Sequence, residues 1–136
     1  MDSGEDLIKA WADDWTSGDL THLMSLFTGD CVYEDVAFGV VYSGTAELKS
    51  FAEGMRTAFP DLHVTIEHCF SSGQYASAEW KMSGTHRGDL PDMPAGNKPF
   101  SIRGTSVFEF VSGRIRRCSD YWDQTALFKQ LGFMTS

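Results

Sequence analysis

Phe100-Ser101-Ile102-Arg103-Gly104-Thr105-Ser106-Val107-Phe108-Glu109-Phe110-Val111-Ser112-Gly113-Arg114-Ile115-Arg116-Arg117-Cys118-Ser119-Asp120-Tyr121-Trp122-Asp123 decides the fold. Apolar and small side chains recur at every second position from Phe100 to Phe110, while Arg103, Thr105 and Glu109 take the other parity. That period of two predicts a strand with one face on a core. Ser112-Gly113 has the chemistry of a hairpin turn. The returning strand sets Cys118, Asp120 and Trp122 on one side. The hairpin register brings Asp120 near Ser106, among apolar neighbours. A carboxylate there is costly unless it has a partner or a task.

Working backward, residues 88–99 hold three of the four prolines and two glycines, which predicts an irregular loop. Before it, Ala76, Ala78, Trp80, Met82, Gly84 and His86 share a face. A further strand alternates through Leu62, Val64, Ile66, His68 and Phe70 and turns at Ser72-Gly73. The first half reads differently. Leu7, Ile8, Trp11 and Trp15 recur at helical spacing after a start near Ser3, and Gly18 ends that helix. A second short helix carries Leu20, Leu23, Met24 and Phe27, with Gly29-Asp30 ending it. Short strands follow at 31–36 and 40–42. A third helix carries Leu48, Phe51, Met55 and Phe59, closed by Pro60. A small helix over Ala126, Leu127, Phe128 and Leu131 finishes the chain. Helices grouped ahead of an antiparallel meander predict an α+β fold. One domain over residues 1–136 would wrap a strongly curved, mixed or antiparallel sheet around three N-terminal helices, leaving a conical cavity.

Composition narrows the function. The chain has 136 residues, a formal net charge of −8 and 13% aromatic residues. No basic stripe is present, so no nucleic-acid partner is expected. No apolar run approaches a membrane span, and no secretory signal is visible at the start. Cys31, Cys69 and Cys118 show no CxxC pair and no metal spacing. A reduced, cytoplasmic protein without metal or cofactor is the expectation.

Asp120 is the first candidate for chemistry, because burial lifts a carboxyl toward the range useful for proton transfer. Its structural alternative is an aspartate that bonds a turn or an arginine. His86 ends its strand at the Pro-rich loop and could shuttle a proton. Tyr33 and Asp35 share a face on the first strand, where Tyr33 could orient a carbonyl. Trp15, Trp80, Ser106, Phe108, Cys118 and Trp122 are the expected substrate-binding lining. Asp123 reads as a cap at the strand exit, and Arg103 and Glu109 as cross-strand partners.

The segments His86-Arg87-Gly88, Met93-Pro94-Ala95-Gly96, Phe100-Ser101, Val111 to Ile115, Asp120-Tyr121-Trp122-Asp123 and Gln130-Leu131-Gly132 resemble the SnoaL-like polyketide cyclases of the nuclear-transport-factor-like superfamily. The resemblance implies a cone-shaped α+β barrel with an apolar pocket, often dimeric through its outer sheet. It places Asp120 on the aspartate that serves as acid and base in an intramolecular aldol closure. At the position of the cyclases' assisting histidine this chain has Ser106, and near their asparagine it has Tyr33. Limonene-epoxide hydrolases are similar in fold and carry an Asp-Arg-Asp arrangement, but the corresponding arginine and second aspartate fall on His86 and Gly88. The expected function is a cofactor-free acid–base enzyme acting on a small hydrophobic carbonyl compound. The alternatives are a non-catalytic binding module for a small hydrophobic ligand, or an epoxide hydrolase or isomerase-like enzyme.

Overall fold

The structure, a computed structural model, describes residues 4–135; Ser3, read above as a helix start, lies outside them. Helix α1 spans Gly4–Ser17 and buries Leu7, Ile8, Trp11, Ala12 and Trp15, the stripe its sequence spacing sets out. Its C-terminus has no basic residue of its own. Arg56 supplies one from α3 (Gly44–Ala58). The guanidinium donates to the carbonyls of Trp15 at 3.2 Å, Thr16 at 3.4 Å, Leu62 at 3.3 Å and Pro60 at 2.8 Å. A cation at the negative end of a helix satisfies carbonyls that the helix leaves open.

Helix α2 covers Leu20–Ser25, capped by the Asp19 carboxylate on the His22 N–H. Strand β1 then runs Phe27–Asp35. The expected helix through Phe27 and the strand start at 31 are therefore corrected. Phe27 is buried as its apolar spacing requires, but it is buried from a strand that pairs with Ile115. An irregularity between Phe27 and Val32 absorbs Gly29 and Asp30, which do not end an element.

The remaining elements are β2 (Val40–Ser43), α3, β3 (His63–Ser72), β4 (Tyr75–Thr85), β5 (Pro99–Val111), β6 (Arg114–Trp122) and α4 (Gln124–Leu131). Asp123 caps α4 through the Ala126 N–H, as its place in the sequence suggests. The strand order is β2-β1-β6-β5-β4-β3. Among the described residues only the β1–β6 pair is parallel. The fold is α+β, and the six-stranded sheet is curved but not closed, so the expected barrel has open edges at β2 and β3.

Alternation holds along β4 and β5, where Ala76, Ala78, Trp80, Phe100, Ile102, Ser106 and Phe108 are all buried, whereas in β6 a register shift opposite Glu109 and Phe110 lets Ile115 and Cys118 both face the core. It fails in β3. A bulge between Ile66 and His68 turns the strand over, so Cys69 pairs with inward-facing Ala78 while His68 and Phe70 turn outward. Phe70 is left 61% exposed. On the outer face Arg103 pairs with Glu67 of β3 at 3.0 Å, two strands away, not with Glu109.

Candidate active site

The inner face of the sheet and helices α1 and α3 enclose a cavity of about 60 Å³. Its wall is mostly aromatic, with Trp11 and Trp15 from α1, Phe51 from α3 and Trp80 from β4. Two carboxyl groups interrupt it, Asp35 and Asp120. Among the described residues no lysine, arginine or histidine lines this cavity.

Asp120 sits where the parallel seam and the β5–β6 hairpin meet. Its register partners are Asp35 on β1 and Ser106 on β5. The Ser112-Gly113 turn brings the two strands together near this point, and a register shift between Glu109 and Phe110 sets Ser106 opposite Asp120 in place of Ser119. One carboxylate oxygen, Oδ2, accepts a hydrogen bond from the Tyr33 hydroxyl. The other, Oδ1, accepts from Ser106 Oγ at 2.5 Å and from Cys118 Sγ at 3.5 Å. Ser106 in turn accepts from Trp80 Nε1 at 2.8 Å. Every one of these donors is neutral, and among the described residues no cation pairs with the carboxylate. Burial therefore dominates and pushes the Asp120 carboxyl up to about 6, with the neighbouring Asp35 charge adding to the rise. The hydrogen bonds from Ser106, Tyr33 and Cys118 oppose it.

Asp35 is also buried and also raised, again through desolvation. It accepts from Trp122 Nε1 at 3.0 Å and from the Phe38 N–H at 3.2 Å. Phe38 meets the Trp122 ring edge-on at 5.0 Å, which holds the indole donor against Asp35. Burial likewise pushes the Tyr33 hydroxyl and the Cys118 thiol well above their ordinary ranges, with the Asp120 charge as the next cause. Both stay protonated, so Tyr33 remains a donor across the working pH range.

The structure brings Tyr33, Asp35, Trp15, Trp80, Asp120 and Trp122 to one cavity. Ser106 and Cys118 lie one layer behind, bonded to Asp120 but not themselves part of the lining. Phe108 is fully buried against the Trp11 ring at 5.2 Å, and it too is absent from the lining. His86 is not brought to Asp120. Its ring is completely buried between Phe59 and Phe133, at 5.4 and 6.1 Å, and neither nitrogen has a hydrogen-bond partner among the described residues. It is buried on the inner side as its parity suggests, but it lies just past the end of β4, against Phe59, which in turn packs on Phe100. Trp11, Phe38, Phe51 and Phe59 were not singled out as lining residues. Their signal was the helical stripe for the first and last two; Phe38, in a turn, carried none.

The profile of the SnoaL-like polyketide cyclases matches residues 5–131, almost the whole chain. The protein belongs to the SnoaL-like polyketide cyclase family. No curated protein matches it. Several solved structures share its fold. A ketosteroid isomerase-like protein from Catenulispora acidiphila, in complex with trimethylamine, aligns over 97% of this chain and 96% of its own, with a TM-score of 0.84 and 22% identity. TsrD from Streptomyces laurentii aligns over 98% and 99%, with 0.86 and 22%. A protein from Shewanella putrefaciens assigned to the SnoaL-like cyclases aligns over 98% and 99%, with 0.85 and 18%. At these identities the likeness establishes the fold, and the chemistry of this SnoaL-like family member has to be argued from its own residues.

Proposed function

We propose that this SnoaL-like protein is an acid–base enzyme acting on a small hydrophobic carbonyl compound, with Asp120 as the group that removes and returns a proton alpha to the carbonyl. The observation that carries this reading is a carboxyl raised to about 6 on the wall of an aromatic cavity, held at both oxygens by neutral donors. A base near the working pH combines a populated ionised form with useful basicity. Abstraction moves the C–H proton to Asp120, and its bonding pair becomes the enolate. As Asp120 is neutralised, its hold on the Tyr33 hydroxyl weakens, and that donor is freed for the new oxyanion. The donor follows the charge in a cavity poor in water, where such a bond is strongest. The mechanism calls on no cofactor.

Size bears on the substrate. A cavity of 150 Å³ admits benzene, so the resting space of about 60 Å³ requires side chains to repack before a ring can enter. Met55 and Met82 in the wall are the flexible candidates. The Catenulispora neighbour, with trimethylamine, supports a ligand of a few heavy atoms. The epoxide-hydrolase reading is weaker, since no arginine lines the cavity to complete an Asp-Arg-Asp set. The binding-module reading draws on Ser106, which stands where the cyclases have a histidine. Solvent-deuterium exchange into a panel of small cyclic ketones, followed by NMR, separates these readings. Wild type should catalyse exchange alpha to the carbonyl, and Asp120→Asn should lower the rate by about 10²-fold or more. Exchange that survives Asp120→Asn would sink the mechanism, and exchange absent throughout the panel would favour a binding module.

A homodimer through the outer sheet face and a cytoplasmic setting complete the proposal. Exposed Phe70, Tyr75, Val107 and Tyr121 support the first, and three free thiols the second.

A further inference from the structure

Trp80 does more than line the cavity. Its Nε1 donates to Ser106 Oγ, and Ser106 donates to Asp120 Oδ1. The three residues come from β4, β5 and β6, with Ser106 directly opposite Asp120 and Ala78 directly opposite Ser106. Trp80 is one step further along, opposite Gly104. That glycine is what lets the indole reach. A Cβ at position 104 would stand 2.5 Å from Trp80 Cη2 and 2.7 Å from Cζ2. The six-membered ring therefore lies across Gly104, and the pyrrole N–H arrives at Ser106, two residues along the same face. Trp80 is 3% exposed and Ser106 is fully buried, so water does not compete for either partner.

A serine hydroxyl has one proton and two acceptor lone pairs, and it rotates to suit its surroundings. An indole N–H only donates. With Trp80 filling an acceptor site, the proton of Ser106 turns to the strongest buried acceptor within reach, the carboxylate, the Cys118 sulfur beside it being a weak one. We propose that Trp80 is a positioning residue that, seated in the slot left by Gly104, commits the Ser106 proton to Asp120 and so sets the resting carboxyl as a proton acceptor. This rests on the reading of Asp120 as the base, and adds the direction of the first transfer, from substrate to enzyme. Tyr33 donates to the other oxygen, so neither hydroxyl offers Asp120 an acceptor in the resting site.

The test is the titration of Asp120 followed by NMR of the ¹³C-labelled carboxyl, which needs no substrate. The groups that face the carboxyl are Tyr33 and Asp35 from β1, Ser106 from β5 and Cys118 from β6, and all are kept except the one replaced. Ser106→Ala should move the midpoint up by about one pH unit, since a donor to the ionised form is lost. Trp80→Phe should move it the same way by a smaller step. Benzothienylalanine at position 80, with sulfur in place of the N–H, should match Trp80→Phe while keeping the ring's shape. Combining either change with Ser106→Ala should add nothing, because Trp80 acts through Ser106. The proposal is overturned if Ser106→Ala leaves the midpoint in place. It is also overturned if the benzothienyl variant titrates like wild type, or if the two changes add. A catalytic reading that failed the deuterium-exchange assay would leave these titrations unaltered, so the two failures are distinguishable.

Discussion

At the scale of single residues, the site is built by placing a carboxyl where burial and hydrogen bonding oppose each other. Burial wins, and the sign of its effect on stability follows. The unfolded carboxyl titrates near 3.8 and the folded one at about 6. Between those values the native state binds more protons, so stability falls as pH rises through this window and stays lower above it. The ceiling is about 3 kcal/mol, and the partial exposure of Asp120 brings the figure nearer 1–2 kcal/mol. Asp120→Asn should therefore be more stable than wild type at pH 8, with the gap closing toward pH 4. Thermal melts across that range check it, and a gap that widened on acidification would mean the carboxyl is stabilised by its donors. Asp120 was legible in the sequence because a charge on an alternating apolar strand is conspicuous. That it lies near Ser106 was legible too, from the Ser112-Gly113 turn, but the pairing itself depends on a register shift between Glu109 and Phe110 that the sequence does not mark. The Trp80 bond to Ser106 was not, because parity says which side a residue faces and nothing of the diagonal reach of a large ring. His86 failed for a related reason: the same parity that puts it on the inner face leaves open how deep along the cavity it falls.

At the scale of elements, the cavity depends on how α1 is fastened over the sheet. Arg56 is the fastening, donating to carbonyls at the end of α1 and in the turn just before β3. Thr16 repeats the tie, accepting from the Val64 N–H at 2.9 Å and donating to the Val64 carbonyl at 3.2 Å. Replacing Arg56 with alanine strands several carbonyls at once and should cost about 2–3 kcal/mol. Arg56→Lys, with a compact charge and no fork, should recover less than half of that. Urea denaturation measures both, and a loss under 0.5 kcal/mol for the alanine variant would show that water replaces the guanidinium. Nothing in the sequence marked Arg56 for this role, since its acceptors are backbone atoms distant in the chain. The bulge after Ile66 was equally hidden. Glu67 is an unremarkable strand residue, and only the pairing with β4 shows that the register slips there.

At the scale of the whole molecule, the helices cover one face of the sheet and leave the other open. The outer face carries a row across the sheet from Phe70 through Ser77 and Val107 to Ser119, followed by Glu34 and Val41. A two-fold interface there would meet each residue twice, so a charge placed in it counts twice. The proposed homodimer should persist for wild type at micromolar concentration in light scattering coupled to size exclusion. Val107→Glu should weaken association at least tenfold, while leaving the Asp120 titration unchanged. A monomeric wild type would remove the dimer and leave the cavity argument untouched. The parallel seam between β1 and β6 has a separate consequence, in time and not in space. Tyr33 and Asp120 are 87 residues apart, yet their strands are neighbours. The β3-to-β6 meander can zip from one hairpin to the next, but the seam must close a long loop before it gains anything in return. On a ribosome, Tyr33 emerges early and waits for most of the remaining chain to follow. Until then Asp120 has no Tyr33, no Asp35 and no sealed cavity around it, and behaves as an ordinary surface acid. The proposed chemistry would thus be out of reach until β1 docks against β6, so the step that completes the sheet is also the step that completes the site.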